Sequence, residues 1–132
     1  MIAQLTDNLF LSGENEAHNV DKLKEFGITA IVNVGYEVTS PNHKDFLMIK
    51  IGLKEFQPNP EIAKHLIIIT LRSLIHNGHK VLIHCHAGAH RSPFIAFSYL
   101  ADIQLKTLDD VYQEFMPKVP WGIIYPNAIN FI

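Results

Sequence analysis

The chain has 132 residues, 48% of them hydrophobic and 18% charged, with a formal net charge of −2 and one cysteine. This length and balance suit one folded domain with its own core and exclude intrinsic disorder. Lysines scattered without a run give no general nucleic-acid or anionic-membrane surface, and a lone thiol excludes an internal disulfide or a four-thiolate zinc site.

The N-terminus, MIAQLTDNLF, lacks a basic region followed by a long apolar run, so no secretory signal is expected. The longest apolar stretches, such as residues 66–69, are far too short to span a bilayer. A cytoplasmic protein is the resulting expectation.

In chain order, Gln4-Leu5 and Leu9-Phe10-Leu11 flank the turn-like Thr6-Asp7-Asn8, which predicts an N-terminal hairpin. Residues 17–26 put Ala17, Val20, Leu23 and Phe26 on one helical stripe ended by Gly27. Residues 28–34, ITAIVNV, are β-branched and apolar nearly throughout, as a buried strand is, and residues 46–51 form a further strand. Residues 52–60, with two prolines, read as a loop. From 61 to 77 the pattern is helical, with Gly78 as the stop. Residues 80–84, KVLIH, are another buried strand.

Ser92-Pro93 reads as an N-cap with proline at the first helical position, opening a helix to about residue 102. Thr107 caps a helix over 107–116 stopped by Pro117; residues 117–125 are irregular, and Pro126-Asn127 starts a short last helix. The alternation predicts an α/β domain over residues 1–132, with a mainly parallel sheet of about four to five strands flanked by helices. Ligands bind such sheets beyond the carboxyl ends of their strands, where His84 stands.

The stretch His84-Cys85-His86-Ala87-Gly88-Ala89-His90-Arg91-Ser92-Pro93 holds the only cysteine and three of the eight histidines. A helix N-terminus and a neighbouring cation favour thiolate over thiol. Cys85 lies at a strand end, seven residues before the expected cap, with Arg91 between. If the intervening residues curl, their backbone N–H groups form an anion-binding nest. Gly88 permits a positive φ, Ala87 and Ala89 keep the bowl open, and Arg91 can grip two phosphate oxygens at once. The Cys-(five residues)-Arg spacing therefore joins a nucleophile to a phosphate cradle, and Ser92 can donate to the Cys85 sulfur.

A metal reading would use His84, Cys85, His86 and His90. Structural zinc prefers spaced ligand pairs, and adjacent strand residues 84 and 85 point to opposite faces. No metal and no cofactor are therefore expected.

HCHAGAHRSP resembles the HCxxGxxRS signature of cysteine-dependent protein phosphatases of the small dual-specificity type. QLTDNLFLSG resembles that family's opening hairpin, ITAIVNV its strand before the acid-bearing loop, SPFIAFSYL its post-loop helix and YPNAINF its closing helix. The matching segments run in order over nearly the whole chain. The resemblance implies the dual-specificity phosphatase fold and a two-step hydrolysis of phosphate monoesters in proteins. Cys85 would form a phosphocysteine, while Arg91 and the backbone N–H groups of His86, Ala87, Gly88, Ala89, His90 and Arg91 would hold the phosphoryl oxygens. His84 would buttress the cysteine rather than act as a base, and Ser92 would ease departure of the sulfur.

The sequence departs from the family where the acid belongs. That acid is an aspartate about thirty residues before the cysteine; here the region reads IKIGLKEFQPNPEI. Glu55 is the nearest carboxylate, either the acid or a solvated loop charge, and Glu61 falls in the next helix. His86 and His90 either point outward or contribute one rim imidazole that meets substrate. Trp121 is expected to cover the core rather than flank the bowl, Arg72 to be a solvated charge, and Asp109 and Asp110 to serve a helix dipole.

Two rivals stand beside the protein-phosphatase reading. One is a phosphate-binding module without an acid; the other is a phosphatase acting on a phosphoinositide or an RNA 5′-phosphate. Lipid-directed relatives carry lysines in the loop and RNA-directed ones follow the arginine with threonine, whereas this loop has no lysine and continues with Ser92. A phosphorylated protein is thus the expected partner. Without a second cysteine, oxidation of Cys85 is expected to stop at sulfenic acid or a sulfenamide, or to run on irreversibly.

Overall fold

Strands β2 (Leu9–Ser12), β3 (Ala30–Gly35) and β5 (Val81–His84) are buried at every position, as parallel strands covered on both faces are. The computed structural model, which describes residues 1–129 and 132, joins them with β1 (Ala3–Gln4) and β4 (Leu47–Leu53) in one five-stranded sheet ordered β1-β2-β5-β3-β4. β1 is antiparallel to β2 and every other neighbour is parallel. The α/β class, the hairpin and the mainly parallel sheet are as the sequence predicts.

The register sorts side chains into rows. Phe10, Leu82 and Ile31 lie abreast and pack with Leu23 of α2 (Val20–Glu25) on one face. Leu11, Ile83 and Val32 face the other way, into the larger core under α3 (Glu61–His76), α4 (Arg91–Gln104) and α5 (Leu108–Phe115). Phe97 of α4 meets Tyr112 of α5 edge to face at 4.6 Å, a geometry worth about 0.5–1.5 kcal/mol beyond its area. At the carboxyl ends the next row is polar: Ser12, His84 and Asn33 lie abreast and are fully buried. Hydrophobic rows anchor the sheet, and a polar row meets the loops above it.

Five boundaries differ from expectation. The helix expected over 17–26 is two pieces, α1 (Glu14–Ala17) and α2, because Asn19 Oδ1 accepts from the Lys22 N–H and caps a fresh start. β4 continues through Gly52 and Leu53, shortening the loop expected at 52–60. A Cβ at Gly52 would stand 2.7 Å from the Tyr36 Cα, so only glycine lets the two segments approach.

α4 starts at Arg91 with His90 as its N-cap, so Ser92-Pro93 sits inside the first turn. Proline costs no hydrogen bond anywhere in that turn, and the Phe94 N–H makes the first helical bond, to the His90 carbonyl. Ser92, relieved of capping, can turn to the cysteine. α5 ends at Phe115, and Pro117 lies in a 3-10 turn, Met116–Lys118. The expected last helix runs as turns over residues 125–128 and becomes 3-10 at Ile129; Asn130 and Phe131 lie outside the described residues. Among the described residues no helix is long and apolar enough to cross a membrane.

Candidate active site

β5 is central in the sheet, so the loop that leaves it rises between the ends of β2 and β3. The loop is tied by its carbonyls. The His86 carbonyl accepts from the Glu14 N–H at 2.8 Å, the Gly88 carbonyl from the Trp121 indole at 3.0 Å, the Ala89 carbonyl from the Ile123 N–H at 2.7 Å. Among the described residues no carbonyl or side chain accepts from the N–H groups of His86 through Ala89 or of Arg91. With the carbonyls turned outward and these N–H groups unpaired, the loop is a nest that suits an anion.

Gly88 makes the curl possible. Its φ is +71°, and a Cβ there would lie 2.7 Å from the main chain of Ser12 and Gly13. Both the handedness and the space exclude a side chain. Gly13 returns the constraint, since a Cβ there would meet the Ala87 backbone at 3.0 Å.

Cys85 is 1% exposed, and its sulfur lies 3.2 Å from Ser92 Oγ. The Arg91 guanidinium is 2% exposed, and an unpaired buried charge would cost several kcal/mol, about 3–5 by the usual measure. Its two terminal nitrogens are paired. Nη2 donates to Glu37 Oε2 at 2.9 Å, and Nη1 donates to Glu37 Oε1 and, at 2.8 Å, to the Leu53 carbonyl. Glu55 Oε2 stands 2.8 Å from Nε but off the N–H axis, so that N–H has no aligned acceptor among the described residues. Burial acts to lower the Arg91 pKa, yet the Glu37 hydrogen bonds and the charges of Cys85, Glu55 and Glu37 outweigh it and raise it. In turn, the Arg91 hydrogen bond holds the Glu37 carboxyl below its usual range.

His84 Nδ1 donates to the Cys85 carbonyl at 3.2 Å, and Nε2 is buried without a partner among the described residues. Burial pushes its pKa down against that hydrogen bond, which leaves a neutral ring bracing the main chain at the cysteine. The bond reaches the Cys85 main chain and not its sulfur.

The two loop histidines part company. His86 is exposed and pairs through Nδ1 with Glu14 at 3.1 Å. His90 neither points outward nor forms a rim. It is 3% exposed and turned inward, with Nε2 2.6 Å from the Ala128 carbonyl and Nδ1 bonded to Glu55 Oε1. Phe56 stacks on it at 5.7 Å. The reason is the early start of α4: as N-cap, residue 90 is already part of the helix base, and its side chain enters the wall behind the bowl.

Glu55 is therefore no solvated charge. It lines a cleft of about 300 Å³ with Cys85, Arg91, His90, Glu37, Phe56 and Ile123. Glu61 is instead exposed at the start of α3, paired with Lys64. Trp121 packs on the main core, as expected, and also flanks the loop through its bond to Gly88. Arg72 is a surface charge 3.5 Å from Asp102, while Asp109 and Asp110 lie in the first turn of α5, capped by Thr107.

Sequence reasoning missed Glu37, Phe56 and Ile123. Glu37 had a signal: it comes two residues after β3 ends, on the ligand side of a parallel sheet. Its loop is pinned by Asn33, whose Nδ2 donates to the Val38 carbonyl at 2.8 Å and to Ser40 Oγ at 3.0 Å.

Among known proteins, residues 9–131 match the family model described as dual specificity phosphatase, catalytic domain. Human dual specificity protein phosphatase 14 is 32% identical over 131 residues, covering 96% of this chain; the chain spans 64% of that relative's length. A crystal structure of DUSP15 superposes with a TM-score of 0.84 at 24% identity, covering 97% of this chain and 82% of that one. Human DUSP28 gives 0.84 at 18% identity, over 97% and 87%. These structural likenesses carry the fold, and the match over nearly the whole sequence carries the family: the chain belongs to the dual specificity phosphatase catalytic-domain family.

Proposed function

We propose that this chain hydrolyses phosphate monoesters in phosphorylated proteins through a phosphocysteine. The observation that carries this reading is that the N–H groups of residues 86–89 and 91 and the Arg91 Nε–H have no aligned acceptor among the described residues, in a loop that lines one cleft with Cys85. Such donors act where charge collects on the phosphoryl oxygens.

In the first step the Cys85 thiolate forms an S–P bond as the P–O bond to the leaving group breaks. Glu55, protonated, gives its proton to the departing oxygen. In the second step water attacks phosphorus, Glu55 takes the water's proton, and the S–P bond breaks. Ser92 Oγ, 3.2 Å from the sulfur, donates to the leaving thiolate. The apolar walls supplied by Phe56 and Ile123 suit an aryl phosphate such as phosphotyrosine. A cytoplasmic setting fits the mechanism, since a reducing compartment keeps the nucleophile a thiol.

The rival phosphate-binding module is favoured by one observation, the absence of an aspartate in residues 50–62. Steady-state hydrolysis of para-nitrophenyl phosphate and of a phosphoserine peptide separates the two. Turnover of both, abolished by Cys85→Ser, supports the enzyme. Phosphate or vanadate binding without turnover of either establishes the module.

A further inference from the structure

We propose that His90 and Glu55 hold one proton between them, and that His90 thereby acts as the positioning residue that keeps Glu55 supplied as the acid. The inference deepens the phosphatase reading and rests on it.

Counting hydrogens fixes the pair. A backbone carbonyl only accepts, so the 2.6 Å contact to the Ala128 oxygen places a hydrogen on His90 Nε2. The other ring nitrogen, Nδ1, faces Glu55 Oε1. A neutral ring with its hydrogen on Nε2 would present a lone pair there, and so would a carboxylate. Two lone pairs repel, so the bond exists only with a proton between them. That proton makes either an imidazolium beside a carboxylate or a neutral imidazole beside a carboxylic acid. Both forms hold the same number of protons.

The surrounding charges decide between the forms. Glu55 faces the pair from the loop after β4, and Arg91 faces it from the first turn of α4, with Nε 2.8 Å from Glu55 Oε2. Glu37 reaches the cluster through Arg91 from the loop after β3, and Cys85 lines the same cleft at the end of β5. Phe56 stacks over one ring face, and the ring is buried. With the cleft free, Arg91 favours the carboxylate and the proton rests on His90. An incoming phosphate dianion engages the Arg91 Nε–H and sets negative charge beside Glu55. Both changes disfavour the carboxylate and move the proton to Glu55, next to the leaving oxygen. The acid is thus armed by the substrate, and a glutamate works where relatives use an aspartate because an imidazole stores its proton.

The test compares wild type, Glu55→Gln and His90→Gln on para-nitrophenyl phosphate and on a phosphoserine peptide across pH, alongside ¹⁵N NMR of the wild-type His90 ring. The amide introduced by His90→Gln can still bond Glu55 but stores no titrating proton. The expected result is a ring with both nitrogens protonated in the free enzyme at neutral pH. His90→Gln then moves the alkaline limb for the peptide to lower pH and lowers its rate above neutrality by about tenfold, part of the usual general-acid contribution, with a smaller loss on para-nitrophenyl phosphate. An unmoved limb with equal losses on both substrates overturns the proposal, as does a wild-type ring with bare Nδ1. The NMR result decides the case even where His90→Gln fails to fold. Failure of the parent reading looks different: wild type then turns over neither substrate, whereas a Glu55→Gln variant with the activity and pH profile of wild type removes the acid and overturns this proposal alone.

Discussion

Two loops meet over the cleft, and they are built on opposite plans. The loop of residues 86–91 does its work with main-chain N–H groups and is braced from Gly13, Glu14, Trp121 and Ile123. The loop of residues 54–60 contributes one carboxylate, Glu55, and is held mainly by its own Asn59. That side chain accepts from the Lys54 N–H at 2.7 Å and donates to the Lys54 and Gln57 carbonyls. Where chemistry resides in backbone shape, residue identities are dictated by sterics and leave a pattern. Where it resides in a single side chain, its partners lie elsewhere in the chain and leave none.

Breaking the first plan has the largest effects. Cys85→Ser is expected to lower turnover by at least about 10⁴-fold while phosphate binding survives, since the N–H ring and Arg91 are untouched; parallel kinetics and vanadate titration check this. Gly88→Ala adds a Cβ where the backbone of Ser12 and Gly13 stands 2.7 Å away, at a φ of +71°. It is expected to cost about 1–3 kcal/mol in denaturant unfolding and about 10²-fold in kcat, by strain and misplacement of the N–H groups.

Breaking the second plan is milder and depends on the substrate. Glu55→Gln is expected to slow phosphocysteine formation from a phosphoserine peptide by about 10²–10³-fold, and from para-nitrophenyl phosphate, read as the burst of nitrophenolate, by less than about tenfold, because a good leaving group needs no acid. Equal losses on the two would assign Glu55 to holding Arg91 rather than to proton transfer.

The smallest effect concerns stability. His84 is buried neutral, and burial holds its pKa below the ordinary 6.5. The unfolded chain binds the proton more readily, so stability is full above about pH 6.5 and falls as pH drops toward the folded-state value. Denaturant midpoints of wild type and His84→Asn measured from pH 7.5 to 5, a range chosen to bracket about one unit either side of 6.5, are expected to converge toward the acid end; a constant gap would remove His84 from the pH response.

The two plans also explain what the sequence disclosed. Cys85, Gly88, Arg91 and Ser92 stand in one stretch, and the β-branched runs of β3 and β5 announced the sheet that presents them. Ser92 was legible as a residue but misread as a cap, because helix starts in a curled loop follow the curl rather than local preference. Glu55 stayed ambiguous because nothing near it in sequence names Arg91 or His90 as partners, 36 and 35 positions on. The inward turn of His90 was illegible for the same reason, since the Ala128 carbonyl that fixes it comes from the far end of the chain.

The most direct measurement of the central claim is mass spectrometry of Glu55→Gln quenched in acid during turnover of para-nitrophenyl phosphate. With the base for the second step removed, the account predicts that the peptide containing Cys85 gains the mass of one phosphoryl group, and that Cys85→Ser shows none. Turnover without that adduct, or with the phosphoryl group on another residue, would contradict it.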